Sequence, residues 1–155
     1  MFSNEDYLAE LLTEAGLVSA EEVAHARSAL SGGETIIEHL LATTGLTQDN
    51  VAKTLAANAG IPFIRLGDVV FDPSITQAIP DDVVKRYRVV PVQDEGLSLT
   101  VALADPLDFE SLDTLPHVIG RELNLVCVTQ QDIQDHLKQF YNTGSVVPGL
   151  ERFTV

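Results

Sequence analysis

The chain has 155 residues, 45% of them hydrophobic and 21% charged, which suits one compact unit or two small lobes and excludes a multidomain machine. Nine Lys+Arg against 23 Asp+Glu leave a formal charge of −14, which repels nucleic-acid backbones and anionic lipid headgroups alike. No run approaches the ~18 apolar residues of a membrane span, the polar, acidic start is wrong for a signal peptide, and the lone Cys127 has no partner for an internal disulfide, so the chain reads as soluble and cytosolic.

The first third is written in helix punctuation. Ser3 with Asp6 resembles a capping box, followed by Tyr7, Leu8, Leu11, Leu12 and Ala15 on one helical face, with Gly16 placed to end it. Ser19 with Glu22 is a second box, before Val23, Ala26 and Leu30, and Ser31-Gly32-Gly33 stops that helix. Thr35 with Glu38 is a third, before Ile36, Ile37, Leu40 and Leu41, with Gly45 at the end. Thr47 and Asn50 open a fourth helix through Val51, Leu55 and Ala59, closed by Gly60-Ile61-Pro62. The block repeats. Leu11 to Leu17 matches Leu40 to Leu46 at an offset of 29 residues, so the unit is helix–Gly–helix, twice, with Gly16 and Gly45 as its turn glycines. Two copies predict a paired-hairpin lobe rather than a solenoid.

After Pro62 the period changes. Phe63-Ile64-Arg65-Leu66 reads as a short strand. Asp72-Pro73 opens a helix through Ile75, Ile79, Val83, Val84 and Tyr87 that Pro80 breaks in two. Val89-Val90-Pro91-Val92 is a strand whose proline demands an edge or a bulge. Asp94-Glu95-Gly96 is a hairpin turn, and the alternation from Leu97 to Leu103 is the clearest strand in the chain. Asp105-Pro106-Leu107-Asp108 reads as a turn plus N-cap for a helix with Phe109, Leu112 and Leu115, strained by Pro116 and ended by Gly120. Leu123 to Val128 is a further strand, reached by a right-handed parallel crossover. Thr129 with Asp132 caps a last helix through Ile133, Leu137, Phe140 and Tyr141. The fold class is α+β: a four-helix lobe over residues 1–60, an α/β lobe with a small mixed sheet over 61–141, and a linker or terminal arm over 142–155. The Gly60-Ile61-Pro62 junction reads as a hinge.

Little of this carries chemistry. None of Lys53, Lys85 and Lys138 follows a glycine, so the chain has no Walker loop, and it has no Gly-x-Gly-x-x-Gly or Gly-x-Ser-x-Gly. His25, His39, His117 and His136 lack second ligands at metal spacing. His39 beside Glu38 and His136 beside Asp135 read as solvated faces, and Cys127, in an apolar run, as a buried inert thiol. Asp81-Asp82 and Glu21-Glu22 suit the positive ends of helices. No catalytic, metal or cofactor residue is assigned. The one basic cluster, Lys85-Arg86-Tyr87-Arg88, either complements a helix C-terminus or docks an acidic partner through Lys85, Arg86 and Arg88.

Taken together, four stretches carry a family resemblance. They are the paired helix–Gly–helix repeats ending Asn58-Ala59-Gly60-Ile61-Pro62-Phe63, the stretch Tyr87-Arg88-Val89-Val90-Pro91-Val92, the run Leu99-Thr100-Val101-Ala102-Leu103-Ala104-Asp105-Pro106-Leu107-Asp108, and Ile119-Gly120-Arg121-Glu122. In order and spacing they resemble the N-terminal domain of type II secretion ATPases (general secretion pathway protein E) and type IV pilus assembly ATPases, over residues 5–141. The resemblance implies a regulatory and docking domain that precedes a hexameric ATPase. It also implies binding to the cytoplasmic part of an inner-membrane platform protein, with the domain peripheral at that membrane through its partner. Some members of this family bind cyclic di-GMP through repeats that open Arg-Leu-Gly. Here those positions hold Tyr7-Leu8-Ala9 and Ile36-Ile37-Glu38, and residues 1–60 carry net −7, so a cyclic di-GMP-binding regulatory domain is the disfavoured alternative.

Overall fold

A computed structural model describes residues 2–141; the expected terminal arm over 142–155 lies outside the described residues. Four helices come first: α1 Glu5–Glu14, α2 Ala20–Ala29, α3 Ile36–Thr43 and α4 Gln48–Ala59. The capping boxes at Ser19/Glu22 and Thr35/Glu38 are both closed in both directions. Thr47 caps α4 by accepting from the Asn50 N–H. The first cap differs from expectation. Asn4, not Ser3, accepts from the Tyr7 N–H, while the Ser3 N–H donates to Asp105 Oδ2 across 2.8 Å. Long-range pairing thus takes Ser3 out of the local motif.

The two repeat glycines also part company. Gly16 sits at φ +76, and the Leu17 N–H reaches the Leu12 carbonyl at 3.0 Å, closing α1 with a Schellman motif. Gly45 is not left-handed. Instead the Thr44 hydroxyl donates to the Leu40 carbonyl at 2.7 Å and accepts from the Leu46 N–H, so a side chain does what the glycine does in the first copy.

Beyond Pro62 the expected strand at 63–66 is reduced to a single parallel bridge from Phe63 to Cys127, and Leu66–Asp68 turns into a 3-10 segment instead. The Leu66 N–H is taken by Asp132 Oδ2 at 3.0 Å, which pulls the chain off the sheet edge. The expected broken helix is two elements: a 3-10 turn over Pro73–Gln77 and α5 over Asp81–Tyr87, with Pro80 at its N-cap. The sheet follows, with β1 Val89–Asp94 antiparallel to β2 Ser98–Leu103, and β2 parallel to β3 Glu122–Cys127. Pro91 meets both of its demands, since β1 is an edge strand and its register shifts between Pro91 and Gln93. Leu97 lies just outside β2 and is exposed. α6 (Phe109–Ile119) makes the crossover and ends at left-handed Gly120; α7 (Gln130–Phe140) is capped by Thr129.

Two apolar cores result. The larger joins the sheet with α5 and α7 through Val84, Val90, Leu99, Val101, Leu115 and Ile133. The second fills the helical lobe with Leu8, Leu12, Leu40 and Leu55, and it also contains Leu107 and Cys127 from the α/β lobe. Cys127 is 0% exposed, and burial, reinforced by Asp105, pushes its thiol up to about 12. The Cys127 N–H donates to the Pro62 carbonyl at 2.7 Å and its carbonyl accepts from Ile64 at 2.9 Å. The segment read as a hinge is therefore stitched to β3.

The two glycines are separable by mutation. Gly16→Ala forces a Cβ into the left-handed region and is expected to cost about 1 kcal/mol. Gly45→Ala meets nothing within 4 Å and is expected to change stability by less than about 0.5 kcal/mol. Urea midpoints of the two variants check this; equal losses would remove the distinction.

Candidate functional site

The lobes enclose a cleft of about 390 Å³. Its walls come from helix starts. α3 contributes Thr35, Ile37 and Glu38, α4 contributes Gln48, and α7 contributes Thr129, Gln130 and Gln131. Helix N-termini present unpaired N–H groups and a partial positive charge, and side chains of this protein answer most of them. The Ile37 N–H donates to Glu5 Oε1 at 3.0 Å, and the Glu38 N–H to Thr35 Oγ1 at 3.2 Å. The Gln131 N–H donates to Gln48 Oε1 at 3.1 Å, and the Asp132 N–H to Thr129 Oγ1 at 3.0 Å. The Glu5 and Gln48 bonds run between elements, so they fix α1 against α3 and α4 against α7.

Two charged groups in the cleft stand apart. Glu5 Oε2 is buried without a hydrogen-bond partner. Burial raises the pKa of this carboxyl, against the lowering effects of the Ile37 N–H and the Thr35 hydroxyl, and nearby Glu38 raises it further. Arg88, the C-cap of α5, is the single non-glycine residue with positive φ among the described residues, at φ 53 and ψ 48. It lines the cleft and an adjoining cavity of about 110 Å³ that also holds Asp105 and Asp108. Arg88, like Arg86, makes no ion pair among the described residues, whereas Arg27, Arg65 and Arg121 each grip a carboxylate. A non-glycine residue in the left-handed region costs roughly 1–2 kcal/mol, and such strain clusters where a side chain has a task.

The basic cluster is thereby divided. Lys85 and Arg86 are exposed in the last turn of α5, with the Arg86 guanidinium 5.5 Å from the Tyr87 ring centroid. Arg86 reaches only the smaller cavity, Lys85 neither, and Arg88 both. Gly16 and Gly45 line neither cavity. At the repeat openings, the Tyr7 hydroxyl meets Asn58 Nδ2 at 3.4 Å, and Ile36 packs half-buried against the helical core. The cleft lining offers hydrogen-bonding side chains, the Arg88 guanidinium, the Glu5 and Glu38 carboxylates and an apolar wall. Sequence reasoning passed over Glu5, Gln48 and Gln131, whose partners are 32 and 83 residues away. The sole local signal was an acidic residue in a first helical turn.

One histidine reading is corrected. His136 is not on a solvated face: it is 6% exposed, packed between the Phe71 and Phe140 rings. His39 is half-buried, and its Nδ1 lies 3.1 Å from Glu34 rather than beside Glu38.

The family model of the MshEN domain matches residues 59–146. The type IV pilus assembly ATPase PilB of Myxococcus xanthus is 29% identical over 135 residues, covering 86% of this chain and 24% of that protein. PilB of Thermus thermophilus is 29% identical over 117 residues, covering 73% of this chain and 13% of that protein. The chain spans at most about a quarter of the length of these relatives. In fold it is similar to a structure of MshE with cdg, with TM-score 0.71 and 23% identity over 86% of this chain and 98% of that one. It is likewise similar to the N-terminal domain of XpsE, with TM-score 0.65 and 20% identity over 89% and 96% of the two chains. This chain belongs to the MshEN domain family, the N-terminal domain of type II secretion and type IV pilus assembly ATPases.

Proposed function

We propose that the chain is a docking and regulatory domain that couples a secretion or pilus assembly ATPase to the cytoplasmic part of its inner-membrane platform protein. The observation that carries this reading is Arg88: an arginine held in a strained backbone conformation, without an ion pair among the described residues, at a cleft whose lining offers hydrogen-bonding side chains. Arginine suits the task because its planar fork bonds a partner carboxylate through two parallel donors. Lys85 and Arg86 extend the contact outside the cleft. The ATPase domain of the parent chain is the other expected partner. No helix among the described residues is long and apolar enough to cross a membrane; in this reading the platform protein supplies the attachment to the inner membrane.

One observation favours a second reading, a cyclic di-GMP sensor: the likeness in fold to MshE with cdg. The residues weigh against it. Tyr7 and Ile36 stand where that chemistry calls for arginines, and exposed Glu38 adds like charge toward a phosphodiester.

Three measurements follow. Biolayer interferometry against the cytoplasmic domain of the platform protein should show association that Arg88→Glu weakens about tenfold or more. Arg88→Gly should weaken it too while leaving the free energy of urea unfolding unchanged or higher by about 1 kcal/mol, because glycine relieves the left-handed strain. No association by the parent chain sinks the docking reading.

Calorimetry with cyclic di-GMP should give no heat at near-millimolar ligand; a saturable signal would reverse the preference between the two readings.

The third measurement concerns Glu5. Its folded-state pKa lies above the ordinary 4.5, so the stability it contributes is full below that value and is lost as pH rises through the raised pKa. Glu5→Gln keeps an acceptor for the Ile37 N–H and removes the titration. Thermal melts should find it more stable than the parent at pH 7, with the gap closing at about pH 4. A gap independent of pH contradicts the assignment.

A further inference from the structure

α7 shows three faces. Ile133, Leu137 and Tyr141 enter the sheet core, Gln130, Gln131 and Gln134 face the interlobe cleft, and Asp132, Asp135, His136, Gln139 and Phe140 line a separate open groove of about 370 Å³. The opposite wall of that groove is the irregular segment that the sheet fails to pair, with Leu66, Gly67, Val69 and Phe71.

The floor is aromatic. The Phe71–His136 and His136–Phe140 ring centroids lie 4.6 and 4.5 Å apart, and Phe71–Phe140 5.9 Å. Burial depresses the His136 pKa below the ordinary 6.5, so at neutral pH the floor is an uncharged stack. Apolar surface continues outward, since Phe140 is 37% exposed and Val70, between Val69 and Phe71, is 96% exposed. Around this apolar strip the charge is of one sign. Asp132 accepts from the Leu66 N–H and Asp135 from Gln131 Nε2, both uncharged donors. Asp68 and Asp72 flank the wall segment, and Asp72 accepts from the Ser74 N–H. The base in that segment, Arg65, feels Asp68 and Asp132 but gives its guanidinium to Asp49, and Lys138 does not line the groove.

We propose that this groove is a second docking surface, for a polypeptide segment that interleaves apolar side chains with lysine or arginine. Charge complementarity selects the occupant. The apolar strip offers burial, and the carboxylates around it form no ion pair among the described residues. A second copy of the chain brings another −14 and is repelled, as are anionic lipid and nucleic acid. The groove lies apart from Arg88 and the cleft, so the proposal stands or falls independently of the platform-protein reading.

The test titrates the isotope-labelled full chain with an amidated peptide of about twelve residues that alternates pairs of leucine and arginine, followed by amide chemical shifts. Shifts should concentrate at 66–72 and 132–140. The double variant Val70→Asp with Asp135→Arg should lose affinity about tenfold or more, while Val118→Asp, at an exposed position on α6, should not. The same peptide with glutamate for arginine should not bind. Shifts centred elsewhere, equal affinity for the double variant, or equal binding of the glutamate peptide would each overturn the proposal. If the double variant melts early, Asp135→Asn preserves the acceptor for Gln131 and still removes a charge; an unchanged affinity there counts against the proposal in the same way.

Discussion

The end of β3 holds this molecule together. Cys127 gives its N–H and carbonyl to Pro62 and Ile64 on the free edge of the sheet, and its side chain to the core of the helical lobe. A buried backbone group without a partner costs about as much as a lost hydrogen bond. The edge position at Cys127 must therefore be answered, and the chain leaving α4 answers it. That stitch ties the end of the helical lobe to the sheet edge. The lobes also meet through Leu107 in the helical-lobe core, the Gln131–Gln48 and Ser3–Asp105 hydrogen bonds and the Arg65–Asp49 ion pair, and the cleft lies between them.

The acidity of the chain is distributed by the same logic. Its charge divides evenly, −7 over residues 1–60 and −7 over 61–141. Many of these carboxylates are placed on helix starts, where unpaired N–H groups and the macrodipole favour them. Glu22 and Glu38 close their own helices, Glu5 closes its neighbour's, and Asp108 caps α6. What is left over has functional character. Among the described residues, Glu5 keeps one oxygen unanswered, Arg88 forms no ion pair, and neither do the carboxylates beside Phe71 and His136. These charges without an ion pair are the basis of the docking surfaces proposed above.

Much of the fold was legible in the residues because it rests on local rules. Ser19/Glu22, Thr35/Glu38 and Thr129/Asp132 cap helices through bonds three residues long, and any chain with those spacings can form them. Pro91 announced an edge and a bulge because it has no N–H to give. The misreadings have two causes. Ser3 lost its local role to Asp105, the strand at 63–66 was cut short when Asp132 took the Leu66 N–H, and Gly45 was relieved by the Thr44 hydroxyl. In the first two a partner far off in sequence displaced the local motif, and in the third a second local motif did. The candidate site was less legible still. Arg88 was singled out only as part of a basic run, and nothing in that run distinguished it from Lys85 and Arg86.

By itself, then, the sequence determined the four helices, three of their caps and the small mixed sheet, and the order of its motifs carried the resemblance to the family. All of these follow from periodicity, glycine and proline stereochemistry and motif order, which act within a few residues. The tertiary structure alone decided that Glu5 leans on Ile37, that Arg88 turns left-handed into a cleft, and that His136 sits in an aromatic stack beside carboxylates without an ion pair. Those outcomes depend on which elements meet across 32 to 83 residues of chain. Burial and unpaired charge are properties of a meeting between segments, and they have no value until the chain has closed.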